Sequence, residues 1–166
     1  DYMMHYALRL ANKKGLVYQF HTGLLSGNNG YLPNANPELM ANLFGDYPNV
    51  KFDIFHIGYP YQHVLSGLAK MFPNVFIDMC WAHVISPLAS QNALEEWLDC
   101  MPANKICAFG GDSSVLDFVA GHLQIAKENV VQCMMEKIKK NAIDRSDAEY
   151  LMQQLFYETP KKLFSL

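Results

Sequence analysis

Four short apolar runs, at residues 16–20, 50–56, 75–80 and 106–109, alternate with stretches whose apolar residues recur at helical spacing. Strict alternation of this kind argues for parallel strands joined by right-handed crossovers. The expected class is α/β, as a barrel segment or a doubly wound sheet. At 166 residues the chain holds four strand–helix units and a terminal helix, whereas a complete eight-stranded barrel takes roughly 200 residues or more. No Gly-rich dinucleotide fingerprint follows any run, which counts against a nucleotide-binding sheet.

The segments between the runs carry their own signals. Met3, Tyr6, Ala7, Leu10 and Ala11 space out a first helix over residues 2–14, with Lys13, Lys14 and Gly15 suited to its end. Residues 24–35, rich in Gly and Asn, read as loop. Asn36 then caps a helix opened by Pro37. A helix begins at Pro60 and stops before Pro73. Residues 81–90 read as loop, 92–101 as an amphipathic helix, and 115–140 as a long helical region with a break near Gly121. Ser146 and Glu149 fit a capping box for a last helix ending before Pro160.

Composition narrows the function. Hydrophobic residues make up 51% of the chain and charged residues 17%, enough for a sizeable core. A net charge of −3 without a basic stripe gives no reason to expect nucleic acid. No apolar stretch reaches the roughly 18 residues of a membrane span. Cys80, Cys100, Cys107 and Cys133 form no paired spacing, so they read as buried thiols of a cytoplasmic protein. Asp1 opens directly into helical sequence, which is expected of a piece of a longer chain.

Three of the four runs end in a side chain able to bind metal. The first is followed by His21-Thr22-Gly23, the second ends in His56 before Ile57-Gly58, and the fourth is followed by Gly110-Gly111-Asp112. Singly, a histidine at a strand end is more often a hydrogen-bonded structural residue, and an Asp after two glycines a turn former. Three at equivalent topological positions point to one shared site at the carboxyl ends of parallel strands. Two imidazoles and a carboxylate suit zinc or another divalent ion. Trp81 and His83, after the third run, are expected on the rim as substrate contacts. His5, His63 and His122 lie in helical segments and read as structural. Asp53 and Asp78 sit within apolar runs and each needs a partner if buried.

Several segments together resemble the second half of a metal-dependent amidohydrolase barrel: Gln-Phe-His-Thr-Gly (19–23), Phe-His-Ile-Gly-Tyr-Pro (55–60), Asn-Val-Phe-Ile-Asp (74–78), Phe-Gly-Gly-Asp-Ser (109–113), and a tail ending Lys-Leu-Phe-Ser-Leu. They follow the family's order over essentially the whole chain. The resemblance implies that His21 is the fifth-strand metal ligand. It implies that His56 binds a second metal or contacts substrate and water, and that Asp112 binds metal and shuttles the proton. It is closest in flavour to the amidohydrolase-2 group, which includes proteins similar to uronate isomerases. The family's first-strand His-x-His pair is absent.

The expectation is therefore a single domain, residues 1–166, forming the C-terminal half of a (β/α)8 TIM barrel. It would hydrolyse a small polar substrate with a divalent metal, zinc by preference, held by His21, His56 and Asp112. Asp112 and His56 would be the catalytic groups. The missing half-barrel would come from the rest of a longer chain or from a homo-oligomer. Uronate (aldose–ketose) isomerisation and a non-catalytic scaffold are the alternatives.

Overall fold

The computed structural model describes residues 1–25 and 30–166. Four strands, β1 (Val17–Phe20), β2 (Lys51–Ile54), β3 (Val75–Asp78) and β4 (Ile106–Cys107), form one sheet in the order β1-β2-β3-β4. Every neighbouring pair is parallel. The helices are α1 (Tyr2–Lys14), α2 (Ala41–Asp46), α3 (Gln62–Met71), α4 (Ala82–Ile85), α5 (Pro87–Cys100), α6 (Leu116–Lys139), α7 (Arg145–Gln153) and α8 (Thr159–Phe164). The architecture is a partial (β/α) barrel, as the alternation implies.

Side-chain alternation splits the sheet into two unlike faces. Phe52, Ile54, Val75, Ile77, Ile106 and Ala108 join Phe44, Leu65, Leu94, Trp97, Val130 and Met134 in one apolar core under the helices. Fully burying a large side chain of this kind contributes roughly 1.5–3 kcal/mol. The opposite parity carries Gln19, Asp53, Asp78 and Cys107. Register brings these together, with Gln19 opposite Asp53 and Asp78 opposite Cys107. Asn74 tightens the amino-terminal side by donating from Nδ2 to the carbonyls of Phe44, Tyr47 and Val50, each at 3.1 Å.

The strands are shorter than the apolar runs because the chain turns out of the ladder early. His56–Gly58 is already a 3-10 turn, and β4 ends at Cys107. The next amide, Ala108 N–H, donates to the Leu155 carbonyl (3.0 Å). Leu155 lies in the π-helical turn Gln154–Glu158, which joins α7 to α8 so that the last helix continues through Pro160 instead of stopping before it.

Other elements differ from expectation in traceable ways. The expected loop 81–90 contains α4 and the start of α5, because Ser86 accepts from Ala89 N–H and Pro87 sits at the first helical position. Helix α6 runs unbroken past Gly121. The last capping box is built by Asp144 and Asp147, not by Ser146 and Glu149. Residues 37–40 are 3-10, with Asn36 accepting from Glu38 N–H as expected. Part of the loop expected at 24–35 lies outside the described residues. No helix among the described residues is long and apolar enough to cross a membrane.

Candidate metal centre

His21, His56 and Asp112 meet at the carboxyl ends of the strands. His21 Nδ1 lies 2.7 Å from His56 Nε2, and Asp112 Oδ2 lies 3.8 Å from the first and 3.9 Å from the second. They line a cleft of about 350 Å³ with Leu25 and Trp81.

The network fixes the tautomers. His56 Nδ1 faces the Cys80 carbonyl at 3.0 Å and must donate to it. Burial disfavours the charged ring and lowers the His56 pKa; the Cys80 bond and Asp112 oppose that shift, and His21 adds to it. A neutral His56 with its proton on Nδ1 has a lone pair on Nε2, aimed at His21 and Asp112. His21 then donates from Nδ1 to that lone pair.

A divalent ion at this point would take the place of the shared proton. Two nitrogens on one ion at about 2.0–2.1 Å stand roughly 3 Å apart or more. The rings would therefore separate by a few tenths of an ångström. Exposed His21 can swing, whereas His56 is held. The donor set and its spacing fit such an ion.

The mouth is made from uncommon backbone. His56, Ile57, Trp81 and Asp112 all have positive φ, at 66°, 50°, 61° and 36°. Such conformations cost of order 1–3 kcal/mol each in side chains of this size and collect at functional sites. Contacts hold them in place. Trp81 Nε1 donates to the Asp112 carbonyl (2.7 Å), and Thr22 Oγ1 donates to the Phe55 carbonyl (2.8 Å). Gly23, at φ 68°, passes so close to the 58–59 backbone that a Cβ there would lie 2.2 Å from the Tyr59 carbonyl oxygen. The Thr-Gly after His21 is thus a steric requirement of the turn.

The whole chain, residues 1–166, matches the amidohydrolase family. The chain belongs to that family. Protein fluG of Emericella nidulans is 34% identical over 89 residues, which is 53% of this chain and 10% of that protein. Among solved structures, a Lactobacillus casei protein assigned as a metal-dependent hydrolase superposes with a TM-score of 0.83 at 21% identity, over 99% of this chain and 43% of that one. The uronate isomerase of Thermotoga maritima gives 0.78 at 19% identity, over 98% and 40%. The chain spans less than half the length of each of these proteins. At such identities the structural likeness speaks for the fold alone.

Of the five site residues expected in this amidohydrolase-family chain, the structure brings four to one cleft. His83 is the exception and corrects the expectation of a rim contact. It is 1% exposed, with Nε2 on the Ala108 carbonyl (2.9 Å) and Nδ1 facing Asn129 Nδ2 (3.3 Å). The short helix α4 turns the ring inward, and burial lowers its pKa to about 4. Ile106 and Ala108, in the segment before Asp112, pack into the apolar core. Cys80 is the residue that sequence reasoning missed. It acts through its carbonyl, which any residue type supplies, so no side-chain signal marked it.

Proposed function

We propose that this chain carries the carboxyl-terminal metal ligands of a metal-dependent hydrolase acting on a small polar substrate. His21 and His56 hold a divalent ion, zinc by preference, and Asp112 serves as ligand and acid/base. The observation that supports it most is the His56 Nε2 lone pair, pinned by Cys80 and pointed at both other donors. When bound, such an ion activates water and polarises the bond to be broken. Asp112 accepts the proton from the attacking water at Oδ2 and returns it to the leaving group. Trp81 keeps Asp112 at the mouth through its backbone bond. His56 stays neutral, so its nitrogen remains a donor to the ion.

The remaining strand–helix units come, in this reading, from the rest of a longer chain or from a second copy. Support lies in the share of its relatives that the chain spans and in the exposed apolar residues Tyr2, Met3, Tyr6 and Leu10 on α1. Uronate isomerisation is the second reading, favoured by the fold shared with such isomerases. In that case Asp112 moves a substrate proton instead.

The test is calorimetric zinc titration followed by turnover on amide, ester and uronate substrates in the complete protein. His21→Ala should weaken zinc binding at least tenfold. Asp112→Asn at saturating metal should lower turnover 10²–10⁴-fold, the usual contribution of a general base. Turnover within about threefold of the parent would leave Asp112 as a turn former and end the hydrolase reading.

A further inference from the structure

A second polar cluster lies on the concave face, and the proposed reaction does not use it. Asp53 of β2, Asp78 of β3 and Cys107 of β4 are all buried. One ligand-capable atom from each lies within 4.8 Å of the others. These residues share the inward parity of three adjacent strands, and Gly110 roofs them. A Cβ on Gly110 would stand 3.1 Å from Asp78 Oδ1 and 2.8 Å from Cys80 Cβ.

The hydrogen bonding of this cluster is incomplete. Asp53 Oδ2 accepts from Gln19 Nε2 (3.0 Å), and Asp78 Oδ1 accepts from the Cys80 amide (2.6 Å). Asp53 Oδ1 is buried and has no partner. None of the ion pairs among the described residues involves either Asp. An unpartnered buried carboxylate oxygen is costly, and two neighbouring carboxylates raise that cost. Burial accordingly holds the Asp53 pKa near 6. Burial, and then the nearness of Asp53, push Asp78 well above the carboxylate range.

We propose that Asp53, Asp78 and Cys107 form a second, structural metal site beneath the mouth. Two carboxylate oxygens and a thiolate suit a borderline-soft divalent ion such as zinc, and not magnesium or calcium. With metal bonds of about 2.0–2.3 Å, donors on one ion stand roughly 3–4.5 Å apart, so the cluster closes onto an ion with little movement. Asp53 Oδ1 gains its missing partner, and Cys107 gives up its proton on binding. The ion draws β2, β3 and β4 together just below the segment that carries Asp112.

This inference does not depend on the hydrolase reading, and cobalt(II) separates the two sites. The mouth has no thiolate, whereas the buried site has one. Metal-free protein titrated with Co²⁺ should develop a near-ultraviolet thiolate-to-cobalt charge-transfer band, saturating at one equivalent for this site. The band should persist in the double variant His21→Ala, Asp112→Asn, and vanish in Cys107→Ala. Asp53→Asn, which keeps the shape and removes the charge, should weaken the cobalt affinity read from that band at least tenfold. Cys80→Ser, altering the other nearby thiol, should leave the band in place. Absence of the band in folded parent protein, checked by circular dichroism, would overturn the proposal. So would a band that survives Cys107→Ala. Should Cys107→Ala fail to fold, Asp53→Asn and Cys80→Ser decide: a band indifferent to the first or lost with the second overturns it.

Discussion

The two faces of this sheet are built on opposite plans from the same fourteen strand residues. Toward the helices, Phe52, Ile54, Val75, Ile77 and Ile106 are wholly buried in apolar contacts. Toward the concave side, Gln19, Asp53, Asp78 and Cys107 bring polar groups together, and His21, His56 and Asp112 continue that face upward, the last two at positive φ. Stability resides on one face and chemistry on the other. The convex face supplies the free energy that keeps unfavourable backbone and unpaired acids in place on the concave one.

That division can be broken by experiment. The largest effect should come from the convex side. Trp97→Ala empties a fully buried site under the sheet and should cost about 3–5 kcal/mol in urea unfolding. A loss below about 1 kcal/mol would mean that the core is not the foundation described. On the concave side, Gly110→Ala drives a methyl group into Cys80 and Asp78. It should cost about 1–3 kcal/mol and also weaken the zinc binding proposed for the mouth, since Asp112 follows two residues later. Unchanged zinc affinity would uncouple the two layers.

A third test uses His83, which belongs to the buried structural side. Its folded pKa is about 4, below its ordinary value of 6.5. The unfolded chain therefore binds a proton between those values while the folded chain does not. Stability is fully present above pH 6.5 and falls as the pH drops toward 4, by on the order of 2–3 kcal/mol for a shift of this size. His83→Gln should flatten that part of the stability profile, whatever its effect at neutral pH. A profile unchanged by the substitution would remove His83 as its source.

Smaller changes sharpen the picture. Thr22→Val removes the hydrogen bond to the Phe55 carbonyl and should cost about 0.5–1.5 kcal/mol, because that carbonyl keeps a second bond from Gly58 N–H (3.3 Å). His21→Ala, at an exposed ring, should change metal-free stability by less than about 0.5 kcal/mol. A large stability loss there would mean that His21 is structural first.

Much of this arrangement was legible from residue order. Alternation of runs and helices dictates a parallel sheet with neighbours in sequence order, and that order places His21, His56 and Asp112 at one end. The limits arise where a choice is local and nearly degenerate. Asp144 with Asp147 and Ser146 with Glu149 both match a capping pattern, and Asp144 prevails with Ser146 Oγ donating to its carboxylate (2.8 Å). His83 was misplaced because one short turn of helix, whose formation depends on tertiary contacts, decides whether the ring faces water or core. The positive φ of His56 and Ile57 runs against residue preference altogether, so only the assembled mouth reveals it. Asp53 and Asp78 were recognisable as residues that need partners if buried, but their convergence on Cys107 depends on strand register, which the apolar runs leave open by a residue or two.

The π-turn near the end of the chain has a consequence for how the sheet can grow. The Cys107 carbonyl accepts from Met79 N–H, on the β3 side. Within one trans peptide the amide points the opposite way, so Ala108 N–H faces outward from β4, where Leu155 already occupies it. Any strand that comes to lie along that margin meets a plugged position just past Cys107, and β1 carries no such plug among the described residues. The sheet is therefore polar in its capacity for extension: an added strand can zip along the whole of β1, but along β4 it must stop short or first displace the tail of the molecule. The π-turn thus works as a tethered stopper that sets how far a strand added beside β4 can run, just past Cys107.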